Sequence, residues 1–467
     1  MAENALNRHL ALVGFMGAGK TTLGRMVAER LGRRFYDIDA ELAHEHGRES
    51  VSELFVEWGE SEFRRKEAEA VHRFTAPGAP LVLGLGGGAI TTPAVFGDLR
   101  ERAFTVLIDV DVDTAWARVR GSDRPLARDE TEFRSLYEAR EPIYRAGSDA
   151  TAIDADGVIL AAGGVHYERG ALDLLGELVP GTGPVALVSD SVVMGIYGAR
   201  AQEALGARVT TTHELPSGEE AKQHRILERL WSELRLDRSG TVVALGGGCT
   251  TDVTGFAAAT YLRGVSWVSV PTTLVGQVDA AIGGKTAIDI PEGKNLVGSF
   301  HWPSRVILDE TLLETLPERE RRQGLAEQLK TGLLAGRPLD VRGAAAYKTA
   351  ICLQDPHDHG PRRWLNLGHT FGHALEAAAE FDLPHGEAVA LGLLAALRLS
   401  GRDTAEVERE LAPVPVKVDP DRAWQALLRD KKHLGGDINI VLLGPDGPRV
   451  EALPAADVRR ELNALIA

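Results

Sequence analysis

The chain has 467 residues, 44% of them hydrophobic and 25% charged, which is the composition of an ordinary water-soluble protein with two or three domains. Its formal net charge of −15 argues against general nucleic-acid binding, and no apolar run is long enough to span a bilayer. Because the amino-terminal residues lack the apolar stretch of a secretory signal and only two cysteines are present, we expect a cytoplasmic protein without a disulfide framework.

The first third of the chain alternates between strand-like and helix-like segments. The predicted strands are 10–15, 81–85 and 105–110, and the predicted helices are 20–31, 60–74 and 129–140. This alternation predicts a parallel sheet covered on both faces. Because the segment 147–164 is rich in Gly, Ala and Asp and weakly patterned, we place the first domain boundary between residues 157 and 158.

A second α/β block follows, and the chain ends in helices. The predicted strands of this block are 184–189, 241–245 and 267–270. From about residue 317 the pattern changes to amphipathic helices, predicted at 318–334, 370–381 and 387–399. The sequence therefore predicts two α/β domains and a helical subdomain, with the bounds 1–157, 158–316 and 317–467.

A glycine-rich loop lies between the first predicted strand and the first predicted helix. Residues 14–21, GFMGAGKT, match the phosphate-binding pattern G-x-x-x-x-G-K-[ST] at every fixed position. The glycines allow backbone amides to converge on phosphate oxygens, and the following helix N-terminus adds its dipole. Lys20 can reach the transferred phosphate and the Thr21 hydroxyl can bind Mg²⁺, so the pattern favours nucleotide binding over a glycine turn that binds nothing.

Carboxylates and arginines downstream of this loop suit a second, anionic substrate. Asp37 and Asp39 are one residue apart at the end of a predicted strand, so alternation would send both side chains to one side. One could serve Mg²⁺ and the other a substrate hydroxyl, and a solvated turn explains the pair equally well. Arginine suits a carboxylate because the guanidinium forms two parallel hydrogen bonds with it, although each arginine alone is more often a surface residue.

Four further motifs accompany the loop: FRRKE at 63–67, GGG at 86–88, RPL at 124–126 and REPIY at 140–144. In order and spacing they resemble the shikimate kinase family over about residues 8–155. The resemblance implies a P-loop kinase domain with a three-layer parallel-sheet fold that phosphorylates the 3-hydroxyl of shikimate with ATP and Mg²⁺. The helix that usually closes this family has little room here before the next domain begins.

The same resemblance implies roles for individual residues. Those expected to bind the nucleotide are Gly14, Gly17, Ala18, Gly19, Lys20, Thr21, Thr22 and, at the adenine, Arg120. Those expected to hold Mg²⁺ are Thr21 and Asp37. Those expected to bind shikimate are Asp39, Arg64, Gly86, Gly87, Gly88 and Arg140. In catalysis Asp39 would orient the attacking hydroxyl, and Lys20 and Arg124 would approach the transferring phosphate.

Late in the chain, His369 and His373 are four residues apart, so on a helix both lie on one face. With His385 and the helical Glu327 they supply the imidazoles and carboxylate of a catalytic Zn²⁺ site that keeps one position open. A pair of buried, hydrogen-bonded histidines is the alternative, and the whole set favours metal. Spacing alone would assign both His369 and His373 as ligands.

A turn of three glycines, residues 246–248, follows a predicted strand, and Asp252 comes soon after. Glycine permits close approach of the backbone to a pyrophosphate, but the turn is not GxGxxG, so a plain tight turn explains it equally well. Between this turn and the histidines, Lys285 and Lys294 stand beside glycines and could point at a phosphate or carboxylate. The alternative for both is solvated surface charge.

Together with PTTL at 271–274 and LPERE at 316–320, these residues closely resemble 3-dehydroquinate synthase over about residues 163–450. The resemblance implies a Rossmann-like α/β dinucleotide domain and an α-helical metal-binding subdomain. The family cyclises a heptulosonate phosphate with loss of phosphate, uses NAD⁺ and a divalent metal, usually Zn²⁺, and commonly forms homodimers. We therefore expect a homodimer through this part of the chain.

Residue roles follow from this second resemblance. The metal ligands would be Glu327, His369 and His385, which makes His373 a proton-transfer residue instead of a ligand. The residues expected to line NAD⁺ are Asp190, Glu219, Lys222, Gly246, Gly247, Gly248, Asp252, Thr272 and Thr273. The residues expected to contact substrate are Arg263, Asp279, Lys285, Lys294, Asn295, Lys330, Lys348, Arg362, Asn366 and one of Lys431 and Lys432; of these, Lys285 and Lys330 would take part in catalysis.

The interval from Lys330 to Arg362 is shorter than the family usually has, so we expect one or more helices of the last subdomain to be missing. The leading hypothesis is a bifunctional enzyme with two small-molecule substrates, shikimate and the heptulosonate phosphate, and with no nucleic-acid or membrane partner. Two alternatives stay open: a metal-dependent polyol dehydrogenase in the carboxyl-terminal part, and a non-catalytic nucleotide-binding module in the amino-terminal part.

Overall fold

The computed structural model of the protein describes residues 4–121, 128–430 and 437–467. The chain forms two compact units, Met1–Val165 and His166–Ala467. The first unit extends a little beyond the predicted boundary at residue 157. Arg124, Lys431 and Lys432 lie outside the described residues. Within the described ranges, no helix combines the length and apolarity needed to cross a membrane.

The first unit is built on a five-stranded parallel sheet with the order β2-β3-β1-β4-β5. Its strands are β1 (His9–Val13), β2 (Phe35–Asp37), β3 (Val82–Gly84), β4 (Ala103–Ile108) and β5 (Ala150–Ala152). Its helices are α1 (Lys20–Arg30), α2 (Ile38–Glu45), α3 (Val51–Phe74), α4 (Pro93–Arg102), α5 (Val112–Val119), α6 (Glu130–Ala146) and α7 (Ala155–Ala162). Every residue of β1 and β4 is buried, as expected for central strands of a sheet covered on both faces.

Two expectations for this unit need correction. Strand β2 ends at Asp37, whose carboxylate accepts a hydrogen bond from the Ala40 amide and caps α2, so Asp39 lies in the first turn of a helix and not on the strand. The segment 147–164 is also no loose connection. It contains β5, paired with β4, and α7, where Val158 and Ile159 are fully buried. Helix α7 is therefore the closing helix of this unit. A run of small residues can form such a helix when a few branched side chains within it are buried.

The second unit begins with a six-stranded sheet of order β6-β13-β10-β9-β7-β8, and a separate antiparallel hairpin is formed by β11 and β12. The strands are β6 (Val165–Tyr167), β7 (Val185–Asp190), β8 (Val209–Leu215), β9 (Thr241–Gly246), β10 (Ser266–Pro271), β11 (Lys285–Ile290), β12 (Gly293–Phe300) and β13 (Arg305–Leu308). The helices among them are α8 (Leu175–Leu178), α9 (Ser191–Val193), α10 (Ala199–Leu205), α11 (His224–Glu233) and α12 (Gly248–Thr260). Strands β7, β9 and β10 are parallel neighbours, so their carboxyl ends meet at one edge of the sheet.

The rest of the unit is mainly helical. Its helices are α13 (Glu318–Ala335), α14 (Val341–Gln354), α15 (His369–Ala378), α16 (His385–Leu399), α17 (Ala405–Leu411), α18 (Pro420–Asp430) and α19 (Ala455–Asn463). One core joins these helices to a hairpin, β14 (Asp437–Gly444) and β15 (Gly447–Pro454), that the sequence pattern did not predict. The predicted helix 370–381 ends at Ala378, because Glu380 and Phe381 adopt positive φ angles.

Candidate active sites

The glycine-rich loop of the first unit has a backbone that only glycine supports. Gly14 and Gly17 have φ angles of +143° and +84°. A Cβ at Gly14 would lie 2.6 Å from the Ile108 carbonyl oxygen, and one at Gly17 would lie 2.7 Å from the Ala115 carbonyl oxygen. Gly19, at +91°, precedes the first residue of α1. Lys20 donates from Nζ to the carbonyl oxygens of Gly14 (2.8 Å) and Phe15 (3.1 Å), so its ammonium lies across the loop where phosphate would bind.

A hydroxyl and a carboxylate meet beside this loop. Thr21, the second residue of α1, donates from Oγ1 to Asp37 Oδ2 at 2.5 Å. Both are oxygen donors of the kind that Mg²⁺ prefers, and α1 directs its N-terminus toward the same point. The pair therefore fits a Mg²⁺ ion bound next to the nucleotide phosphates.

A cavity of about 830 Å³ extends from the loop across the carboxyl edge of the sheet. The predicted residues that line it are Gly17, Gly19, Lys20, Thr21, Thr22, Asp37, Asp39, Arg64, Gly86, Gly87, Gly88 and Arg140. The structure thus brings the motif residues of five separate segments round one space. Its size suits a nucleotide together with a small substrate.

The turn 86–88 requires glycine because charged side chains press against it. A Cβ at Gly86 would lie 2.5 Å from Asp39 Oδ1, and a Cβ at Gly88 would lie 2.1 Å from Arg64 Nη2. Arg140 donates from Nη1 to the Gly87 carbonyl oxygen at 3.1 Å. The turn therefore positions a carboxylate and two guanidinium groups at the same end of the cavity.

Glu67 is a site residue that the sequence analysis missed. Its Oε2 accepts a hydrogen bond from Arg64 Nη1 at 2.6 Å, its side chain is fully buried, and its Oε1 has no hydrogen-bond partner among the described residues. Burial raises the pKa of Glu67 to about 7, opposed by Arg64 and reinforced by Asp39. The motif FRRKE contained it three residues after Arg64, a spacing that without the fold indicates only a surface ion pair.

Two arginines, Arg118 and Arg120, lie at the end of α5, where the adenine contact is expected. Arg120 follows the last residue of α5, is exposed and does not line the cavity. Arg118 lines the cavity and donates from Nη1 to the Gly17 carbonyl oxygen at 3.0 Å. Ala18, a residue of the loop, is buried. Arg118 is therefore a second candidate for the adenine contact, beside the predicted Arg120.

In the second unit, Glu327, His369 and His385 bring one ligand atom each within 4.8 Å of one another. Glu327 Oε1 lies 3.3 Å from His369 Nε2 and 3.1 Å from His385 Nε2. Two imidazole nitrogens and a carboxylate oxygen fit a catalytic divalent metal with an open position. His373 lies beside this group, with its ring centroid 5.3 Å from that of His369, and the helix between them accounts for the spacing.

The cluster continues into a buried row of charges. Lys330, one turn after Glu327 on α13, contacts Glu327 Oε2 and lies 3.9 Å from Asp279 Oδ1. Lys348 donates to Asp279 at 2.6 Å, both to Oδ1 and to the carbonyl oxygen. Burial would raise the pKa of Glu327, but Lys330 and His369 hold it well below its usual value. Glu327 is therefore an ionised carboxylate, as a metal ligand must be.

The candidate dinucleotide site lies where the parallel strands end. Asp190, at the end of β7, accepts a hydrogen bond from Thr250 Oγ1 at 3.2 Å. Thr272 donates its amide to the Gly246 carbonyl oxygen at 2.9 Å, and a Cβ at Gly247 would lie 3.0 Å from the Thr273 methyl group. Because the next residue, Gly248, begins α12, a helix N-terminus faces this edge. The arrangement fits a pyrophosphate at the point of strand crossover.

Charged residues of the β11–β12 hairpin join this edge. Lys222 donates to Asp252 Oδ2 at 2.7 Å and also bonds the side chain of Asn295. Lys294 Nζ lies 3.4 Å from Glu219 Oε2. Although burial lowers the pKa of Lys222, Asp252 and Glu219 raise it overall, so the residue keeps its charge. The residues expected at the dinucleotide and those expected at the substrate are thus in direct contact.

The remaining predicted residues differ in burial and in the contacts that they make. Arg362 is buried and donates to the Gly283 carbonyl oxygen at 2.9 Å. Lys285 pairs with Asp358, which the sequence analysis did not single out. Asn366 ends a short helical turn three residues before His369. Arg263 is exposed after α12, with a φ of +68°.

Comparisons with known proteins match both units. Residues 16–163 match the family model of shikimate kinase. Residues 212–323 match that of the 3-dehydroquinate synthase N-terminal part, and residues 305–433 that of its C-terminal part. A relative from Thermotoga maritima, named bifunctional shikimate kinase/3-dehydroquinate synthase, is 32% identical over 475 residues, which covers 91% of this chain and 93% of the relative.

Two further relatives match the second unit. The 3-dehydroquinate synthase of Bordetella pertussis is 41% identical over 341 residues, covering 64% of this chain and 95% of the relative. The structure of 2-epi-5-epi-valiolone synthase from Streptomyces hygroscopicus, with NAD⁺ and Zn²⁺ bound, is 26% identical, with a TM-score of 0.53, and covers 64% of this chain and 96% of that one.

Proposed function

The chain belongs to the family of bifunctional shikimate kinase/3-dehydroquinate synthases, and we propose that each of its two units carries one reaction, at the two sites described above. It phosphorylates shikimate with ATP and converts 3-deoxy-D-arabino-heptulosonate 7-phosphate to 3-dehydroquinate with release of phosphate. The observation that carries the assignment of sites is their coincidence with the matches: the P-loop cavity falls within 16–163 and the metal-type cluster within 305–433.

In the kinase site, the loop amides and Lys20 bind the ATP phosphates, and Thr21 with Asp37 holds Mg²⁺. Arg64 and Arg140 bind the shikimate carboxylate, while Asp39 accepts a hydrogen bond from the attacking hydroxyl. Catalysis there consists of positioning and charge neutralisation, without a covalent intermediate on the protein. The contacts of the turn 86–88 with Asp39, Arg64 and Arg140 support this division of roles.

In the synthase site, Glu327, His369 and His385 hold the divalent metal, for which we propose Zn²⁺ on the ligand set. When bound, the metal would supply Lewis-acid polarisation of a substrate oxygen, and NAD⁺ would supply a hydride acceptor and donor. His373, beside the metal ligands, transfers protons. Asp279 contacts both Lys330 and Lys348, and these contacts hold the three charged side chains in place next to the metal ligands.

Substrate anions meet the lysines of the hairpin and the surrounding loops. Lys285, Lys294 and Arg362 bind the phosphate and carboxylate groups, which a polyol substrate lacks. This cationic set argues against the alternative of a polyol dehydrogenase. The dehydrogenase alternative also predicts net NADH accumulation, whereas the cyclisation predicts release of phosphate without it.

We also propose that the second unit forms a homodimer through β12. Its side chains Leu296 and Phe300 are 61% and 47% exposed, and its outer edge pairs with no described strand. Such an apolar, unpaired strand is a typical site of self-association. Light scattering should give twice the mass of the chain, and Leu296→Asp should shift the protein to monomer; a wild-type monomer at micromolar concentration would refute this contact.

The division into two independent sites is tested by Asp39→Asn in the whole chain. We expect shikimate-dependent ADP formation to be lost and phosphate release from the heptulosonate phosphate to stay at the wild-type rate. Lys66→Gln, a change at a partly exposed side chain of the same unit, is the matched control and should affect neither reaction. A parallel loss of both reactions in a folded Asp39→Asn protein would refute the model.

A further inference from the structure

His385 lies between two carboxylates that contact its two ring nitrogens. Nε2 is 3.1 Å from Glu327 Oε1, on the side of the metal ligands, and Nδ1 is 3.2 Å from Glu376 Oε1 on the opposite side. Glu376 is a buried residue of α15 and was not among the predicted site residues. Glu376 lies on the Nδ1 side of the imidazole. The ring of His385 therefore separates it from Glu327 and His369, and it is not a fourth ligand.

The other histidine ligand is held by its own backbone. His369 Nδ1 lies 3.2 Å from the carbonyl oxygen of Leu367, two residues earlier, and its side chain is 11% exposed. His385 has no comparable local acceptor: it is the first residue of α16, follows Pro384, and its side chain is 39% exposed. The orientation that Leu367 gives to His369 must therefore come to His385 from another helix.

The chemistry of a metal-binding imidazole explains what this contact does. A neutral imidazole that binds through Nε2 carries its proton on Nδ1, and an acceptor there fixes both the tautomer and the ring plane. His385 also lies at a helix N-terminus, where the helix dipole disfavours positive charge. The Glu376 carboxylate offsets the field of the helix dipole. It also makes the imidazole a stronger electron-pair donor to a metal cation.

We propose that Glu376 is a positioning residue of the metal centre, which accepts the Nδ1 proton of His385 and holds Nε2 toward the ion. The inference rests on the proposed metal site. It differs from a packing role because it predicts a change in metal affinity that is separate from the stability of the fold. It also differs from a contact with His373, one turn earlier on α15, because that contact would affect proton transfer without weakening metal binding.

The test measures metal binding directly in the full chain. Zn²⁺ and Co²⁺ dissociation constants are obtained by competition with a chromophoric chelator for the wild type, Glu376→Gln, Glu376→Asp and Glu380→Gln, together with the visible spectrum of each Co²⁺-loaded protein. Glu380 is the matched control, because it is an exposed glutamate of the same segment that pairs with Arg422 at 2.8 Å.

We expect Glu376→Gln to weaken both metals about 10- to 100-fold and to alter the Co²⁺ spectrum, Glu376→Asp to recover part of the affinity, and Glu380→Gln to match the wild type. The unfolding midpoint of the metal-stripped protein and the kinase rate should stay unchanged in all four. Wild-type affinity and spectrum in Glu376→Gln would overturn the inference, even if cyclisation slowed. A lower midpoint of the stripped Glu376→Gln protein with unchanged affinity would assign a packing role instead.

The failure of the proposed metal site would give a different result. If Glu327→Gln and His369→Ala bound Zn²⁺ as tightly as the wild type, the ion would not be held by the three-residue group, and the role of Glu376 would fall with it. If these two variants lost the metal and Glu376→Gln kept it, the metal site would stand and only the inference about Glu376 would be wrong.

Discussion

The hydroxyl of Thr21 donates a 2.5 Å hydrogen bond to the carboxylate of Asp37, which joins the start of α1 to the end of β2 at the edge of the nucleotide cavity. The same carboxylate caps α2 through the Ala40 amide. One side chain thus connects the phosphate-binding loop to the helix that carries Asp39. Because asparagine can still cap α2 through its side-chain oxygen, Asp37→Asn should affect the Mg²⁺ requirement of the kinase more than its affinity for shikimate.

Asp37→Asn should lower the kinase kcat/KM for MgATP about 100-fold, because the amide is a weaker Mg²⁺ ligand than the carboxylate. Raising free Mg²⁺ should recover part of the rate, and KM for shikimate should change little. Glu41→Gln, on the same helix but away from the cavity, is the control. A loss that is confined to shikimate KM and insensitive to Mg²⁺ would contradict this role.

Glu67 should make the stability of the first unit depend on pH. Its pKa of about 7 in the fold exceeds the ordinary value of 4.5, so the folded protein binds this proton more tightly than the unfolded chain. The stabilisation is fully present below pH 4.5 and is lost as pH rises through 7, by on the order of 3 kcal/mol in unfolding free energy. Urea unfolding of the kinase unit across this range checks the direction, and Glu67→Gln should flatten the profile. If the unfolding free energy of the wild type rose with pH while that of Glu67→Gln did not, the raised pKa would be wrongly assigned to Glu67.

Gly88→Ala should displace Arg64, because the new Cβ would lie 2.1 Å from its Nη2. We expect kcat/KM for shikimate to fall about 100-fold, with KM for ATP nearly unchanged, since small displacements of a positioning group have effects of this size. Gly97→Ala places a Cβ where nothing lies within 4 Å and should be silent. Steady-state kinetics with each substrate varied in turn distinguishes this result from a general loss of activity.

Lys348→Met should destabilise the second unit by about 3 kcal/mol, because it leaves the partly buried Asp279 carboxylate without its closest cation. Asp279→Asn in the same chain should recover part of that loss, since the neutral amide no longer requires a counter-charge. Chemical unfolding of the two single variants and the double variant gives the coupling energy. Additive effects would mean that the 2.6 Å contact contributes nothing specific.

The sequence identified those residues whose role is encoded by a local pattern. Residues 14–21, the turn 86–88 and the pair His369 and His373 are defined by backbone conformation or helical spacing. The structure brings residues of the first two to one cavity and places His373 next to the proposed metal ligands. The family resemblance, and not the spacing, separated His373 from the ligand set.

What the sequence did not reveal depends on contacts between distant segments. Glu67 and Glu376 have the pattern of surface glutamates on amphipathic helices, and only tertiary packing buries them against Arg64 and His385. Asp39 was placed on a strand because a period-2 argument cannot detect that Asp37 caps a helix. The hairpin β14–β15 was missed because its apolar residues pack on helices remote in sequence.

We propose that one chain contains two chemically independent active sites, of which only the second requires a tightly bound transition metal. The most direct test of this proposal is the treatment of the whole protein with a Zn²⁺-selective chelator, followed by parallel assays with excess Mg²⁺. Cyclisation should stop and should return on addition of Zn²⁺ or Co²⁺, while shikimate phosphorylation should continue at its original rate. Cyclisation that survives complete removal of the metal, or a kinase rate that falls and recovers with it, would contradict the account.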